Sequence, residues 1–548
     1  MHLIHVCLLV YVTVGIRFSE GYFQNSFDLF PELPLGVPNS GNPVCREQSE
    51  LFVDNLKNLT LWAHEKVVCL NAYTVLIRTR VQFCGRTERR YGDKTKQPRD
   101  TVHFGWCIPA ACTIPDLELS LNEHLQNVDT PLRNKNISYS ASVRKEFCAR
   151  ESDAGNYTIA DYSFALLTLI FVLLVFLSTA YDYQANNKQS EEKAKKKMSH
   201  METSNPDLGV LNGLRTIAIF VIIIDHRFGT FTSSALINFN YVEQQFRAPF
   251  ACVVFHGDLF VDSFFLLSGL LVAYGLLVQF DKRMVNPGFI VFLRYIRLTP
   301  LYAFVIFYYA TVFDYTGKGP LWKVIAGADS DDCKQNWWTN LLYINNYVNA
   351  DHMCMTHAWY LPCDFHYFII AVGICILIKK EKKIGLSALM SATIVSMAIP
   401  FILTVVYRRP SMLMFYTDFL TAPKSHADFL LTYSKSHARA TPYFIGMFGG
   451  YLYYRMKGKN YHVCRIKSAL IVFVSLASIA ASVLTGSVFY DPYHPYNPYE
   501  AATYAGFHRA LWSIGSIGLI YVASYGHAKF IWKILTWSPW VPLSKLQY

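Results

Sequence analysis

Two polar side chains share one predicted apolar helix at a spacing that suits chemistry at two depths. Arg215 and His226 are eleven residues apart in a segment that is otherwise mostly apolar. In an α-helix this spacing puts both residues on one face, about 16 Å apart along the axis. The guanidinium could bind an anionic carrier near one membrane surface while the imidazole meets the reactive end of that carrier. The alternative is that Arg215 anchors the helix at the surface and His226 lies at the interface.

A second predicted helix carries two acids in line with two small residues. Asp258, Asp262, Gly269 and Ala273 fall on one helical face, and Ser268 lies beside it. Small residues allow a neighbouring helix to approach closely. A carboxylate such as that of Asp262 can orient an imidazole or bind an acceptor hydroxyl. For Asp258 the favoured interpretation is a cap at the start of the helix.

An arginine pair precedes a further apolar run. Arg294 and Arg297 stand three residues apart in the segment that ends at Pro300. Two guanidinium groups at this helical spacing can bind phosphates through their paired donors. Anchoring of the next helix at a membrane surface explains the pair nearly as well.

The elements that must position these residues are predicted to be membrane spans. Apolar residues make up 52% of the 548-residue chain and charged residues 16%, whereas soluble proteins average about 25% charged residues. This composition disfavours a soluble cytosolic enzyme, a coiled coil and a disordered regulator. We expect an all-α polytopic membrane domain of about nine spans, preceded by a disulfide-rich lumenal domain. The nine segments are 162–181, 209–228, 258–277, 298–315, 365–378, 384–407, 441–454, 469–484 and 507–525.

The charges between these segments predict the topology. Lysine and arginine cluster in four alternate loops, at 188–197, 282–297, 379–383 and 455–467. Basic loops are typical of the cytosolic side, so we expect these four loops inside. The net charge of +11 is then explained by loops beside a membrane rather than by nucleic-acid binding.

The start of the chain predicts a leader and a domain in an oxidising compartment. Residues 1–21 are typical of a signal peptide, and residues 22–160 contain an even number of cysteines together with three glycosylation sequons. Six cysteines allow fifteen pairings, among which the sequence does not choose. The expected location is a secretory-pathway membrane, either the endoplasmic reticulum or the plasma membrane, with this domain lumenal or extracellular. The residues concerned are Cys45, Cys69, Cys84, Cys107, Cys112 and Cys148, and the sequons are at Asn58, Asn136 and Asn156.

Several of these motifs, in this order, resemble one family. Residues 211–215, the spacing from Arg215 to His226, and the segments 262–269 and 294–300 are together similar to the integral-membrane acyltransferase-three family. The cysteine domain, with residues 83–85 and 107–112, resembles the amino-terminal domain of the nose resistant to fluoxetine proteins. Further similar segments are 333–338, 340–346, 354–361 and 441–451, so that the resemblance extends from residue 45 to residue 548.

The resemblance implies transfer of an acyl group from cytosolic acyl-CoA to a hydroxyl acceptor in or across the membrane. It makes His226 the candidate base and places Arg215 toward the acyl-CoA. Asp262, from its place on the helix face described above, is a second catalytic candidate. Arg294 and Arg297 are further candidates for acyl-CoA binding. The expected partners are membrane lipids, acyl-CoA and an unknown hydroxyl acceptor or apolar ligand, with no metal and no nucleic acid.

The alternatives belong to other functional classes. One is a non-catalytic transporter or binder of lipids or small apolar compounds on the same fold, and another is a receptor-like protein that uses its cysteine domain. The sequence also departs from the family pattern. Asp225 stands where the family usually has glycine, and His366 replaces a glutamine in the stretch 359–366. We expect Ser268, Asp364 and His366 to make substrate-binding or structural polar contacts.

The predicted domain order follows from these segments. A first transmembrane helix at 161–181 and a basic cytosolic linker at 182–207 lead to the acyltransferase-three-like domain at 208–548, expected to be incomplete at its C-terminal end. In the outside loop 318–362 we expect a disulfide between Cys333 and Cys354, which leaves Cys363 free. Closing a loop of this length stabilises a protein by roughly 3 kcal/mol.

Overall fold

The structure is a computed structural model. It describes residues 37, 39–57, 71–81, 101–109, 111–127, 137–150, 157–187, 209–232, 239–246, 248, 251–317, 322–457, 459 and 461–545. The chain divides into two compact units. The first contains the described residues up to Thr158 together with 313–328, and the second contains the remainder.

The first unit is built on a small antiparallel sheet. The elements of this unit are α1 (Pro43–Lys57), β1 (Asn71–Val81), β2 (Thr101–Cys107), α2 (Ile114–Asn127) and β3 (Ile137–Arg150). The strands lie in the order β2–β1–β3, so β1 pairs with both of the others. Helix α2 begins at a capping turn in which the backbone N–H of Thr113 donates to the Asp116 carboxylate at 2.9 Å. Leu117, Leu121 and Leu125 recur every four residues on α2 and are buried in the core of this unit.

The second unit consists of helices and connecting loops, with no strand among its described residues. Its helices are α3 (Ile159–Asn187), α4 (Val210–Thr232), α5 (Phe239–Gln245), α6 (Cys252–Phe255), α7 (Gly257–Lys282), α8 (Pro287–Ala310), α9 (Ala328–Leu341), α10 (Tyr360–Lys380), α11 (Lys382–Tyr407), α12 (Thr417–Thr421), α13 (Ser436–Arg439), α14 (Thr441–Met456), α15 (Arg465–Leu484), α16 (Pro498–Tyr525), α17 (Lys529–Leu535) and α18 (Trp540–Lys545). Short 3₁₀ turns of this unit lie at Ala350–His352, Thr356–Trp359 and Thr485–Tyr490, and a π-helical turn lies at Phe429–Tyr433. The 3₁₀ turn at Val312–Thr316, apart from Val312, and the π-helical turn at Lys323–Gly327 belong to the first unit.

Six helical segments of the described chain are long and apolar enough to cross a membrane. They are Ile159–Gln184, Gly257–Lys282, Pro287–Ala310, Thr356–Lys380, Lys382–Tyr407 and Arg465–Tyr490. The nine predicted segments all fall in helices, but nine spans are not confirmed. Helix α14 has 16 residues, fewer than the ~20 that a perpendicular span needs. Helices α4 and α16 are long enough but carry charged residues within their apolar stretches, such as Asp225 and Arg509.

Close contact between backbones joins α7 to α14. A Cβ atom added at Gly446 would lie 2.1 Å from the carbonyl oxygen of Leu266, and one added at Gly269 would lie 2.1 Å from that of Tyr443. A Cβ atom added at Gly450 would clash with the carbonyl oxygen of Leu270 in the same way. The expectation that Gly269 and Ala273 permit close approach of another helix is therefore confirmed, and α14 is that helix.

The start of α8 corrects one predicted boundary. Arg294 and Arg297 do not precede the helix but lie inside it, because α8 begins at Pro287. The side chain of Asn286 accepts a hydrogen bond from the backbone N–H of Gly288 at 2.9 Å and caps this end. Proline at the first helical position needs no hydrogen-bond partner for its nitrogen, which favours a helix start here.

Candidate functional site

Helix α4 presents the predicted base on its surface. The side chain of His226 is exposed, and its Nδ1 lies 2.9 Å from the carbonyl oxygen of Ile222, one turn earlier. A carbonyl oxygen can only accept, so Nδ1 carries the proton and Nε2 of the neutral ring holds the free lone pair. Arg215 lies three turns earlier on the same helix and is half-buried. The two residues thus lie at different depths of one helix, as the sequence predicts.

Asp262 lies in the interior of the bundle and binds an arginine from a distant segment. Its Oδ1 accepts from Nη2 of Arg439 at 2.8 Å and from Nε at 3.3 Å, and both side chains are fully buried. The guanidinium of Arg439 also lies over the rings of Trp359 and Tyr433, with its Cζ 4.7 and 4.3 Å from their centroids. Burial opposes the charge of this guanidinium, but Asp262 and its other neighbours outweigh burial, and the pKa of Arg439 lies above its ordinary value.

Asp258 belongs to the same buried cluster, which corrects the expectation that it serves as a helix cap. His256 occupies the cap position of α7, and no side chain provides a cap hydrogen bond there. The carboxylate of Asp258 lies 3.3 Å from His256 Nδ1 and 3.5 Å from Arg509 Nη2. Its backbone carbonyl accepts from Arg439 at 3.1 Å. Asp258 is therefore a buried ion-pair partner rather than a surface cap.

Residues of α16 complete this cluster from the opposite side. Arg509 Nε donates to His508 Nε2 at 3.3 Å, and His508 Nδ1 lies 2.7 Å from the carbonyl oxygen of Tyr504. The Tyr504 hydroxyl donates to the carbonyl of Ser482 at 2.6 Å and faces His256 Nε2 at 3.0 Å. His508 thus holds its proton on Nδ1 and accepts on Nε2, which is the neutral form of the ring.

Opposite charges balance within the cluster. Two carboxylates, Asp258 and Asp262, face two guanidinium groups, Arg439 and Arg509. Removing one member of such a buried set leaves its partner charged and unpaired, which costs about 3–5 kcal/mol. Asp225 approaches from α4, since a Cβ atom added at Gly257 would lie 2.6 Å from its Oδ2. The residue before His226 therefore borders this cluster, whereas His226 itself is exposed.

A second polar group joins three of the predicted site residues. Ser268 donates to Asp364 Oδ1 at 2.6 Å, and Arg294 Nη2 binds Asp364 Oδ2. The Arg294 guanidinium also lies over the ring of Phe368, 4.3 Å from its centroid. Arg294 Nε and the nearby Tyr443 hydroxyl are buried and have no hydrogen-bond partner in the described part of the chain. The structure therefore brings Ser268, Asp364 and Arg294 together, at a distance in sequence of up to 96 residues.

The remaining predicted polar residues are Arg297 and His366. Arg297 is exposed on α8. His366 Nδ1 lies 2.8 Å from the hydroxyl of Ser436, so the imidazole that replaces the family's amide still makes a polar contact. The roles assigned to Arg215, His226, Asp262 and the arginine pair in chemistry stay predictions.

The disulfides fall partly within the described residues. The pair Cys333–Cys354 is confirmed, and Cys363 is free and buried. Among the six cysteines of the first unit, Cys45 is bonded to Cys112. Cys107 and Cys148 lie in β2 and β3, where the structure describes the backbone alone. Cys69, Cys84, the three sequons at Asn58, Asn136 and Asn156, the leader and the lysine cluster 188–197 lie outside the described residues.

The two arginines that bind the acids are not among the residues predicted from the sequence. Arg439 lies between the predicted spans 384–407 and 441–454, and Arg509 lies in the predicted span 507–525. A cation within an apolar helix must find a partner, so Arg509 was itself a detectable indication of a buried pair. His256 and His508 belong to the same cluster. Among the described residues, no group of histidine, cysteine and acidic side chains could hold a metal ion.

Comparisons with known proteins agree on one family. The family model described as an acyltransferase domain, acyltransferase type 3, matches residues 208–542. The chain is 24% identical over 596 aligned residues to "Nose resistant to fluoxetine protein 6" of Caenorhabditis elegans, an alignment that covers 96% of this chain and 70% of that protein. No solved structure matches the chain. Together with the apolar helices, the matched domain shows that the chain is a multi-pass membrane protein and belongs to the acyltransferase type 3 family, with similarity to the nose resistant to fluoxetine proteins.

Proposed function

We propose that this protein transfers an acyl group from acyl-CoA to a hydroxyl acceptor in or across the membrane, with His226 as the base. The observation that carries the proposal is the state of the His226 ring inside the matched domain. Its Nδ1 is held by the carbonyl of Ile222 while the side chain is exposed. Nε2 is therefore the proton-accepting nitrogen of a positioned imidazole.

The reaction follows from this arrangement. Nε2 of His226 takes the proton of the acceptor hydroxyl as its oxygen attacks the carbonyl carbon of the thioester. The carbon–sulfur bond then breaks, an ester forms, and the imidazolium returns the proton to the leaving thiolate. Asp225 borders the buried acid cluster, and it is the residue through which that cluster can influence the orientation of α4 near His226.

Three arginines are proposed to hold the anionic carrier. Arg215 shares α4 with His226 and is the first candidate, because an anion bound there lies on the same helix as the base. Arg297 is exposed and can offer its donors to phosphates. Arg294 is already engaged by Asp364, so its contribution to the carrier would come through its Nε.

The test uses labelled acyl-CoA with purified full-length protein. We expect a labelled acyl ester from the parent protein and at least a hundred-fold less from His226→Ala, in line with the ~10²–10⁴-fold contribution of a general base. His462→Ala, another exposed imidazole, is the matched control and should leave turnover unchanged. Arg215→Ala should raise the KM for acyl-CoA more than it lowers kcat, and Arg215→Lys should recover part of that loss.

A second candidate function is transport or binding of lipids or small apolar compounds without chemistry. It is favoured by the separation between His226, which is exposed, and Asp262, which is fully buried in an ion pair with Arg439. The carboxylate of Asp262 is therefore engaged by Arg439 and does not orient the ring of His226. Uptake or binding of apolar compounds that survives His226→Ala, with no acyl product under varied donors and acceptors, would select this function.

We propose further that the first unit and the 333–354 loop face a lumenal or extracellular compartment of the secretory pathway. The pairs Cys45–Cys112 and Cys333–Cys354 support this, because disulfides persist in oxidising compartments. A tag inserted near Lys195 should be protease-accessible only from the cytosolic face. Glycosidase treatment should increase gel mobility if Asn58, Asn136 or Asn156 carries a glycan. Access to the Lys195 tag from outside intact cells would reverse the orientation.

A further inference from the structure

A narrow cleft lies beside the buried charge cluster. It is bounded by the end of α11, the loop that follows that helix, the π-helical turn at Phe429–Tyr433 and α16. Its cavity volume is about 20 Å³, which is room for one water-sized group. We call it the Arg509 cleft, and the residues used below are Ser411, Met412, Tyr433, Ala505, His508 and Arg509, all of which line it.

Two buried polar side chains of the cleft lack partners. Arg509 is 6% exposed and its Nη1 has no hydrogen-bond partner within the described part of the chain. Ser411 is 3% exposed, and its hydroxyl is likewise unpartnered there. Leaving a buried donor unpaired costs about 1–3 kcal/mol. Both residues line the cleft, so each has a polar group that can donate to a ligand bound there.

The charge of the cleft favours an oxyanion. Arg509 is the charged residue among its described lining side chains, and His508 is in its neutral form, since it accepts from Arg509 and donates to the Tyr504 carbonyl. The ion pairs of Arg509 are also long, with 3.5 Å to Asp258 and 3.7 Å to Asp262. Arg439 binds Asp262 at 2.8 Å by comparison. Arg509 thus holds its carboxylate partners less closely than Arg439 does, and its unpartnered Nη1 lies on a residue that lines the cleft.

The cleft is connected to the proposed base through the same cluster. Arg509 contacts Asp258, which follows Gly257, and Gly257 packs against Asp225, the neighbour of His226. The walls add apolar surface from Met412, the Tyr433 ring and Ala505. The oxyanion of an acceptor that also carries a hydroxyl could therefore bind here. The charge cluster that includes Arg509 also borders Asp225, the residue before His226.

We propose that the Arg509 cleft binds a carboxylate or phosphate group of the hydroxyl acceptor, through Arg509 Nη1 and the Ser411 hydroxyl. That the bound anion belongs to the hydroxyl acceptor rests on the proposed function, whereas anion binding in the cleft does not. The substrate class is an anionic hydroxyl compound, and the anion fixes its position while the hydroxyl is acylated.

The test measures binding, with full-length protein in nanodiscs of neutral phosphatidylcholine. The probes are octanoate, octyl phosphate and octylammonium, which share a chain length and differ in the head group. We expect saturable binding of one or both anions and none of octylammonium. Octanoate binding with no response to octyl phosphate would select a carboxylate, and the reverse would select a phosphate.

Two variants assign the binding to the cleft. Ser411→Ala removes one hydrogen bond to a charged group and should weaken anion binding about ten-fold. Ala505→Leu fills the cleft and should abolish binding while keeping every charge. Ser330→Ala is the matched control, because Ser330 is also buried with an unpartnered hydroxyl but lies on α9, away from the cleft. Unchanged anion binding in both Ser411→Ala and Ala505→Leu, with unfolding temperatures near the parent's, would overturn the proposal.

The same measurements separate this inference from the proposed function. Anion binding that depends on Ser411 and Ala505, without any acyl transfer, supports the site and rejects the enzyme. Acyl transfer that depends on His226, with acceptor KM unchanged in Ser411→Ala and Ala505→Leu, supports the enzyme and rejects the site. Octylammonium binding as tight as octanoate binding also rejects the site.

Discussion

The guanidinium of Arg439 meets the carboxylate of Asp262 at 2.8 Å with neither side chain exposed, although 177 residues separate them in sequence. The pair links α7 to the short helix α13, just before α14 begins. Because Asp258 and Arg509 join it, four formal charges lie in a protein interior and depend on one another. Loss of any one of these charges should therefore lower the free energy of unfolding.

Asp262→Ala and Arg439→Ala should each lower the free energy of unfolding by about 3–5 kcal/mol, because each leaves a buried charge without its partner. The double variant should lose clearly less than the sum of the two single losses. Tryptophan fluorescence during thermal unfolding in detergent measures this. Asp281→Ala is the control, since its pair with Lys379 is half-exposed and should contribute less than about 1 kcal/mol. Additive single effects would contradict a direct coupling.

The two arginines of α8, Arg294 and Arg297, should contribute differently to stability. Arg294→Lys should lower the unfolding temperature, because lysine lacks the planar fork that serves Asp364 and the stacking on Phe368. Arg297→Lys should leave stability unchanged, since that side chain is exposed. Paired thermal unfolding and acyl-CoA titration of both variants provide the measurement. Equal loss of stability in both would show that the two arginines are equivalent.

Backbone contact predicts a severe effect of one added methyl group. Gly446→Ala puts a Cβ atom 2.1 Å from the carbonyl oxygen of Leu266, so α7 and α14 must separate. Overpacking of this kind costs about 1–3 kcal/mol or more. Gly373→Ala on α10 meets nothing within 4 Å and should be neutral or stabilising by up to ~1 kcal/mol. Yield of folded protein and unfolding temperature compare the two, and similar behaviour would contradict the close approach.

The capping turn of α2 gives the first unit a defined acid sensitivity. Burial opposes the charge of Asp116, but hydrogen bonds from Thr113 and Ser40 outweigh it, and the pKa of Asp116 lies below its ordinary value of 3.8. A folded-state pKa below the unfolded one stabilises the fold above the unfolded pKa, and this stabilisation is lost as pH falls through the folded pKa. The advantage of the parent protein over Asp116→Asn should therefore be full at pH 7 and shrink below about pH 4.

Hydrogen–deuterium exchange of the α2 amides measures that difference in the full-length protein. Parent and variant are compared at the same pH, so that the intrinsic pH dependence of exchange cancels. Protection should be higher in the parent at neutral pH and converge in acid. A difference that grows as the pH falls would contradict the sign of the shift.

Helices and small-residue packing were predictable, whereas the ionic partners were not. The α7 face of Asp258, Asp262, Gly269 and Ala273 follows from helical periodicity, which is local in sequence. Its partners Arg439 and Arg509 are not local. Two acids in an apolar helix require cations, but the sequence gives no rule for which distant arginine folds against them.

The candidate site was likewise predictable only in part. The exposure of His226 could not be read from an amphipathic pattern, because in a lipid-facing bundle both faces of a helix are apolar. The joining of Ser268, Arg294 and Asp364 depends on how α7, α8 and α10 pack, and each of the three residues was identified while their contact was not. Of the two disulfides, Cys333–Cys354 was predicted, and its cysteines are near in sequence. The pair Cys45–Cys112, whose cysteines are 67 residues apart, was not chosen among the possible pairings.

The glycine contacts between α7 and α14 limit how this bundle can change shape. Sliding one helix past the other by one residue, about 1.5 Å, would drive a side chain into a facing carbonyl oxygen. The two helices can therefore move only together, as one rigid body. Any change in the shape of the bundle must therefore take place among the remaining helices, while the buried pair of Asp262 and Arg439 keeps its place beside α7 and α14.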